Sequence, residues 1–420
     1  MTPCINEALP VEVFGVIFEE HMRLEWFAPV IDGLVCRQWR RTILRSPRAW
    51  SHLVIGDAFR SAPLELRQQW LGRSGTVPLR IGVSSLWGLE GILDQHCKRI
   101  KSLRVLHDLA HALIENSSFP ILQSLTIYDR GARSVHDPRD LCMHDLHLST
   151  WDAMPALRSL RVGSISVAIL PSKTFPALRV LALFKVKQFD YIIQNSYHSL
   201  TRLMLDSLYV PNSSETVEFP SLRFLSLFSV PNLKHRMIVP ALTTYHEGDI
   251  PEEESFPMPL PLLTEYGIFE LNIRPSLDAT RLHQCYPNVS RVSVRAYVPV
   301  VKWFLHSLSG QPTSLPMLRL LAVKNPVEDK DFSREDKASM MDEVFMRNTA
   351  TSVEMELCFD GRRVPLYFGE VRFYIRECQS KLTTTLRIRM NAIEELSVIL
   401  GCGPAAELIE ESLNVDCFSN

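Results

Sequence analysis

The residues best suited to chemistry gather in one stretch. His136, Asp137, Asp140, Cys142, His144, Asp145 and His147 all fall within Val135–His147. Thiolate, imidazole and carboxylate are the usual zinc ligands, and Cys142-x-His144-x-x-His147 is compact enough for one centre. The spacing matches none of the recurrent zinc patterns, however, and the favoured reading is a polar loop inserted into a repeat. His107 and His111 stand at i and i+4 on an expected helix without a third ligand nearby, which reads as ordinary surface or capping histidine. Glu252-Glu253-Glu254 reads as a solvated loop among prolines. Glycoside hydrolysis would need two carboxylates positioned in a cleft. No Gly-x-Gly-x-x-Gly, Gly-x-x-x-x-Gly-Lys or Gly-x-Ser-x-Gly occurs. Those are the patterns that cradle phosphates or present a nucleophilic serine. The expectation is a chain that is not an enzyme, with no catalytic residues, no metal and no cofactor.

The elements must therefore position surfaces rather than a reactive centre. The chain has 420 residues, 46% apolar and 22% charged, ordinary for a globular protein of two or more domains. A net charge of −2 gives no general affinity for nucleic acid or membrane. The short basic clusters Arg37–Arg41 and Arg387–Arg389 read as solvated faces. Nine scattered cysteines without a Cys-x-x-Cys pair suggest reduced thiols, hence cytoplasm and/or nucleus. No signal peptide and no bilayer-spanning run is visible. The sequons at Asn116, Asn212 and Asn288 are read as chance matches.

Most of the chain is a repeat. The phrase Phe/Leu-Pro-x-Leu-x-x-Leu-x-Leu returns at Phe119–Ile127, Met154–Val162, Phe175–Leu183 and Phe219–Leu227. Looser copies lie at Tyr197–Leu205, Val239–Glu247, Leu260–Ile268, Tyr286–Val294 and Leu315–Val323, with a degenerate one at Ala392–Val398. The proline slot falls at 155, 176, 198 (a histidine), 220, 240, 261, 287 and 316, in steps of 20–22 residues lengthening to 26 and 29. The step from Pro120 to Pro155 is 35, which is where the polar loop would be inserted. A period in this range marks a solenoid, and Leu-x-x-Leu-x-Leu is the strand signature of leucine-rich repeats. Two leucines at period 2 point to one face of a short strand, and neighbouring copies must stack to bury them. The asparagine or cysteine usual after such a strand is replaced by Ile165, Val186, Leu208 and Val230, so apolar packing is expected in its place. Residues 325–350 read as a charged loop followed by a helix, and Val353–Phe368 as a hairpin around Asp360-Gly361.

Residues 1–55 differ. Pro10 suits a helix's first turn, and Glu12 favours its positive end. Val13, Ile17 and Phe18 recur at helical spacing. Val30, Ile31, Leu34 and Val35 form a second apolar patch, and Trp39, Ile43 and Leu44 a third, which Pro47 ends. So small a bundle buries little surface alone and wants a neighbour. In the connecting segment, 56–106, Leu64–Leu71 reads as a helix ended by Arg73-Ser74-Gly75. Pro78–Val83 reads as a strand, Leu86–Arg99 as a helix and Ser102–Leu106 as a strand. The bundle is thus expected to be fused rigidly to the solenoid of residues 107–420.

The order Leu9-Pro10, Ile17-Phe18, Val35-Cys36-Arg37-Gln38-Trp39-Arg40 and Ser46-Pro47-Arg48-Ala49-Trp50 resembles the F-box. Residues 66–79, Leu-x-x-x-Trp-Leu-x-Arg-Ser-Gly-x-x-Pro-Leu, resemble the expanded F-box families of mushroom-forming fungi. His21 stands where that pattern has leucine, about three extra residues precede Leu34, and Pro29 and Gly33 interrupt the second helix. The resemblance implies an α/β chain, a three-helix F-box followed by an irregular leucine-rich-repeat-like β/α solenoid. It implies a substrate-recognition subunit of a Skp–cullin–F-box ubiquitin ligase, with Skp, and through it cullin and RING subunits, as partners. Leu9, Pro10, Val13, Ile17, Phe18, Leu34, Val35, Cys36 and Trp39 map onto its Skp-docking surface. Val13, Ile17 and Trp39 could equally pack the bundle's own core. The alternative is a non-catalytic repeat scaffold whose F-box has lost adaptor binding.

An unidentified target protein is expected on the outward strand positions. Their last row reads Tyr128, Gly163, Phe184, Asp206, Phe228, Gly248, Phe269, Arg295 and Lys324, flanked by Arg202, Phe224 and Arg291. Aromatic and arginine side chains are common interface anchors. The proposed contacts are Tyr128, Phe184, Arg202, Phe224, Phe228, Phe269, Arg291 and Arg295. The competing reading is that the C-terminal segment covers them as ordinary packing.

Overall fold

A computed structural model describes residues 10–24, 28–55, 64–83, 95–106, 109–110, 113, 117–128, 154–163, 176–184, 193, 196–206, 208, 216–230, 233–248, 259–270, 279–311, 313–324, 332–351, 353, 355–359 and 362–363. The chain is α/β, with a few N-terminal helices and a parallel β-solenoid. It divides into two compact units at Leu160.

Helices α1 (Val11–Leu24), α2 (Ala28–Val35) and α3 (Arg37–Leu44) open the first unit. The Pro10 carbonyl accepts from the Val13 N–H at 3.1 Å, closing the first turn. Phe14, Phe18, Met22, Ala28 and Ile43 are buried between the helices. The Phe14 and Phe18 rings stack at 6.0 Å, and the Trp39 ring meets Phe18 edge-on at 5.2 Å. Two departures from the sequence expectation have physical reasons. Pro29 and Gly33 do not interrupt α2, because Pro29 sits in its first turn, where no N–H is needed. His21 is paired, its Nδ1 lying 3.0 Å from Oδ1 of the buried Asp32, so it ties α1 to α2.

A short 3₁₀ turn (Pro47–Trp50) leads into β1 (His52–Ile55). Here the helices are fastened to the sheet. Trp50 packs edge-on against Trp70 of α4 (Leu64–Arg73) at 4.8 Å, and the Arg73 guanidinium lies 4.6 Å over the Trp50 ring. Trp70 Nε1 donates to the His52 carbonyl, and His52 Nδ1 lies 3.2 Å from the Met22 carbonyl. Burial lowers the His52 pKa against that carbonyl's pull, and nearby Arg80 lowers it further. Gly75, at φ +55, takes the left-handed conformation that ends α4. Strands β2 (Leu79–Val83), β3 (Ile100–Leu106) and β4 (Ser124–Tyr128) then add in parallel, in chain order after β1. The expected helix at Leu86–Arg99 lies mostly outside the described residues; its end is a 3₁₀ turn, Cys97–Arg99.

Strand β5 (Ser159–Gly163) spans the division. The second unit continues with β6 (Val180–Phe184), β7 (Arg202–Asp206), a short β8 (Val217–Glu218), β9 (Phe224–Phe228), a short β10 (Met237–Ile238) and β11 (Thr244–Gly248). After them come β12 (Glu265–Glu270), β13 (Arg291–Ala296), β14 (Leu320–Lys324), β15 (Glu356–Phe359) and β16 (Arg362–Arg363). The long strands pair in parallel, each with the next repeat's strand. β8 pairs with β10 on the returning limb, and β16 closes an antiparallel hairpin on β15. The register aligns Leu181 with Leu203 and Leu225, and Leu183 with Leu205 and Leu227. All six are buried, as are Leu178 and Leu222. Leu181→Ala is therefore expected to lower unfolding free energy by about 2–5 kcal/mol. An unchanged chemical-denaturation midpoint would show this register to be wrong.

Leu208 and Val230 are buried where the usual ladder residue is missing, and a second device holds the repeats together. Thr201, Thr243 and Thr264 hydroxyls, just before their strands, donate to the carbonyls of Arg179, Arg223 and Thr243 in the preceding repeats. Ser290 donates likewise to Thr264. This hydroxyl ladder runs beside the backbone bonds of the same residues.

The lengthened steps of 26 and 29 residues hold helices on the returning limb. These are α5 (Ala279–Cys285) and α6 (Val298–Gly310), and α7 (Arg334–Ala350) follows β14. Helix α6 buries Val300, Val301, Phe304, Leu305 and Leu308. Arg347 of α7 is fully buried and donates to the Leu315 carbonyl, at a turn where Leu315 holds φ 50.

Candidate functional site

The first candidate surface lies on α1 and α2. Val13 and Ile17, one turn apart, are 39% and 41% exposed, and Leu34 and Val35 are 54% and 57% exposed. Pro10 is exposed too, as are Val11 and Val16. His21, one turn after Ile17, bonds Asp32, three residues before Val35. Residues three or four apart share a helix face, so the hydrogen-bonded contact brings the Ile17 and Val35 faces beside each other. Phe18 is buried in the bundle, and Trp39 is half-buried against Phe14 and Phe18. Cys36 is half-buried and caps α3, its Sγ accepting from the Trp39 N–H at 3.4 Å. Leu9 lies outside the described residues. The apolar set thus splits into an outward half and a core half. A bundle that leaves Val and Leu side chains standing in water on two neighbouring helices has a face suited to a protein partner.

The second candidate surface is the outward face of the sheet. In the second unit, Phe184, Asp206, Phe228, Gly248, Phe269, Arg295 and Lys324 fall in one register row. Phe184, Phe228 and Arg295 are half-exposed. In the row at the strand starts, the Arg202 guanidinium lies 4.6 Å over the Phe224 ring, and Phe224 meets the His246 ring edge-on at 5.1 Å. The His246 ring lies across β12 only because position 267 is glycine. A Cβ there would fall 2.4 Å from His246 Cδ2. Burial, with Arg202 nearby, pushes the His246 pKa down to about 4, so the ring is neutral at pH 7. Arg291 lies 3.9 Å from Glu265. In the first unit, Tyr128 carries the Arg104 guanidinium over its ring at 4.7 Å.

One polar cluster was not anticipated. Glu247 occupies an inward strand position, aligned with Leu227 on one side and Ile268 on the other. Lys234 Nζ lies 2.7 Å from Glu247 Oε2, and the Tyr245 hydroxyl donates to the same oxygen at 2.6 Å. The Tyr266 hydroxyl donates to Oε1. Tyr286 completes the group, its ring centroid 5.5 Å from that of Tyr266. Burial would raise the Glu247 pKa, but the Lys234 ammonium and the two phenols outweigh it and hold the carboxyl below its ordinary value. Burial, reinforced by Glu247, pushes both Tyr245 and Tyr266 well above the ordinary phenol value. The group is a closed, internally satisfied network, with every carboxylate oxygen occupied. The sequence signal for it was an acid at a repeat's buried second leucine.

The His/Cys/Asp stretch 135–147, His107, His111 and Glu252–Glu254 lie outside the described residues. Among the described residues no group of three or more His, Cys, Asp or Glu could hold a metal ion. No described helix is long and apolar enough to cross a membrane. A scan against protein-family models finds no match, and a search of curated proteins finds none similar.

Proposed function

We propose that this chain is the substrate-recognition subunit of a Skp–cullin–F-box ubiquitin ligase. In this reading α1–α3 form an F-box that docks on Skp, and the solenoid is a leucine-rich-repeat-like domain that holds a target protein. The observation that carries it is the outward apolar set Val13, Ile17, Leu34 and Val35 on α1 and α2. Those residues belong to the F-box-like pattern, and they are the ones a partner could cover. The chain does no chemistry itself. Through Skp it joins cullin and RING subunits, and catalysis by the assembly is proximity, which raises the effective concentration of the target's lysine. The work is placed in cytoplasm or nucleus, where the cysteines would stay reduced.

A second reading, a repeat scaffold whose F-box no longer binds the adaptor, draws on the His21–Asp32 pair, a polar contact where the pattern has leucine. Mixing the purified chain with purified Skp decides between them. Co-elution as a one-to-one complex on size exclusion supports the ligase reading, and separate elution supports the scaffold. For the target half, Phe184→Ala with Phe228→Ala is expected to lose target capture from cells and to keep Skp capture. Loss of neither would remove the sheet face from the account.

A further inference from the structure

The strand-start rim of the sheet carries an uneven charge distribution that the aromatic row does not explain. Arg179 precedes β6, Arg202 begins β7 and Arg223 precedes β9, all three exposed, on three successive strands. The corresponding positions of β11 are Thr243 and Thr244. No carboxylate stands in either row from β6 to β11. The acids that do occur there come later, Glu265 on β12 and Glu356 on β15, and Glu265 faces Arg291 at 3.9 Å. At the starts of β6, β7 and β9 neither of these two rows sets a carboxylate beside the three cations, in a chain whose net charge is −2.

Two of the three side chains are braced by neighbours without being neutralised. Arg179 donates to the Ser199 carbonyl at 3.1 Å, and Arg202 lies flat on Phe224. The Arg223 side chain has no hydrogen-bond or ion-pair partner among the described residues, its backbone alone being bonded to Thr201, Thr243 and Thr244. Neighbouring strands lie about 4.8 Å apart, so Arg179 and Arg223 stand roughly 10 Å apart, with Arg202 on the strand between them and one residue further along it. An extended peptide presents same-side residues every ~7 Å. One crossing the strands would bring two carboxylates within reach of the three guanidinium groups, whose forked donors suit carboxylates.

We propose that the strand-start rim of β6, β7 and β9 binds an acidic, extended segment of the target protein. The inference rests on the solenoid being the target-holding half, and it adds the chemistry of what is held. The rim supplies charge and register, and the Phe224 ring beside it supplies apolar contact.

The test uses the full chain and a fluorescein-labelled peptide of alternating glutamate and glycine, read by anisotropy at low salt. Controls are an alternating lysine–glycine peptide and an oligothymidylate of equal charge. The acidic peptide is expected to bind and the basic one not. The triple variant Arg179→Gln, Arg202→Gln, Arg223→Gln is expected to weaken binding about tenfold or more. The pair Arg37→Gln, Arg41→Gln, exposed on α3 and outside both candidate surfaces, is expected to bind like the wild type. Absence of acidic-peptide binding, equal binding by the triple variant, or tighter binding of oligothymidylate through the same arginines would overturn the proposal. Skp capture is measured on the same samples. Lost peptide binding with retained Skp capture in the triple variant supports the rim. Acidic-peptide binding by a wild-type chain that does not capture Skp supports the rim and counts against the adaptor reading alone.

Discussion

Replacing Ile17 and Val35 together with aspartate is expected to weaken Skp capture by at least a factor of ~100, since interface anchors are commonly worth about 2 kcal/mol or more each. The two side chains are 41% and 57% exposed in the free chain, so charging them disturbs no core. That separates this test from one at Phe18, where a charge would unfold the bundle and abolish capture for an uninformative reason. The His21–Asp32 contact holds the two helix faces together, and in the double variant it is untouched. Unchanged thermal unfolding with lost capture is the expected pair of results. Capture at wild-type strength would remove this face from the docking surface.

The second large effect concerns stability. Glu247→Ala is expected to cost about 3–5 kcal/mol, the usual penalty for removing one partner of a buried ion pair. It leaves the Lys234 ammonium buried and strips the acceptor from the Tyr245 and Tyr266 hydroxyls. Exchanging both ions for apolar groups, Glu247→Leu with Lys234→Met, is expected to recover much of that loss, because no uncompensated charge remains. A further expectation follows from the lowered carboxyl pKa. A group whose folded pKa lies below its unfolded value contributes stability that is complete above the unfolded pKa. That contribution is lost as pH falls through the folded value. Denaturation midpoints of the wild type are therefore expected to fall on acidification below about pH 4.3, the unfolded glutamate pKa. Glu247→Gln is expected to flatten that part of the profile. Identical profiles for the two proteins would contradict the role assigned to the ion pair.

The repeat was legible because its signals are local and periodic. Proline followed by leucines at fixed offsets marks each strand start and face, and the register of Leu181, Leu203 and Leu225 follows from the period. Gly75 was likewise readable as a helix end, since few other residues accept its φ. What escaped depends on contacts between limbs. Lys234 and Glu247 are on different limbs of one repeat, and nothing in either residue alone says that they meet. The hydroxyl ladder was invisible because Ser and Thr occur in loops of every kind, and only stacking shows that Thr201 and Thr243 each meet a neighbour's carbonyl. In the bundle, Phe18 and Ile17 are adjacent and equally apolar, yet one is core and the other is surface. Composition cannot separate those roles, because cores and interfaces draw on the same residue types.

Amide hydrogen exchange of the chain, with and without purified Skp, tests the central claim most directly. The account predicts that Skp slows exchange over residues 11–35, the span of α1 and α2, and leaves the strands from β6 to β14 unchanged. Absence of protection in 11–35 at saturating Skp, or protection falling on the sheet instead, would contradict it.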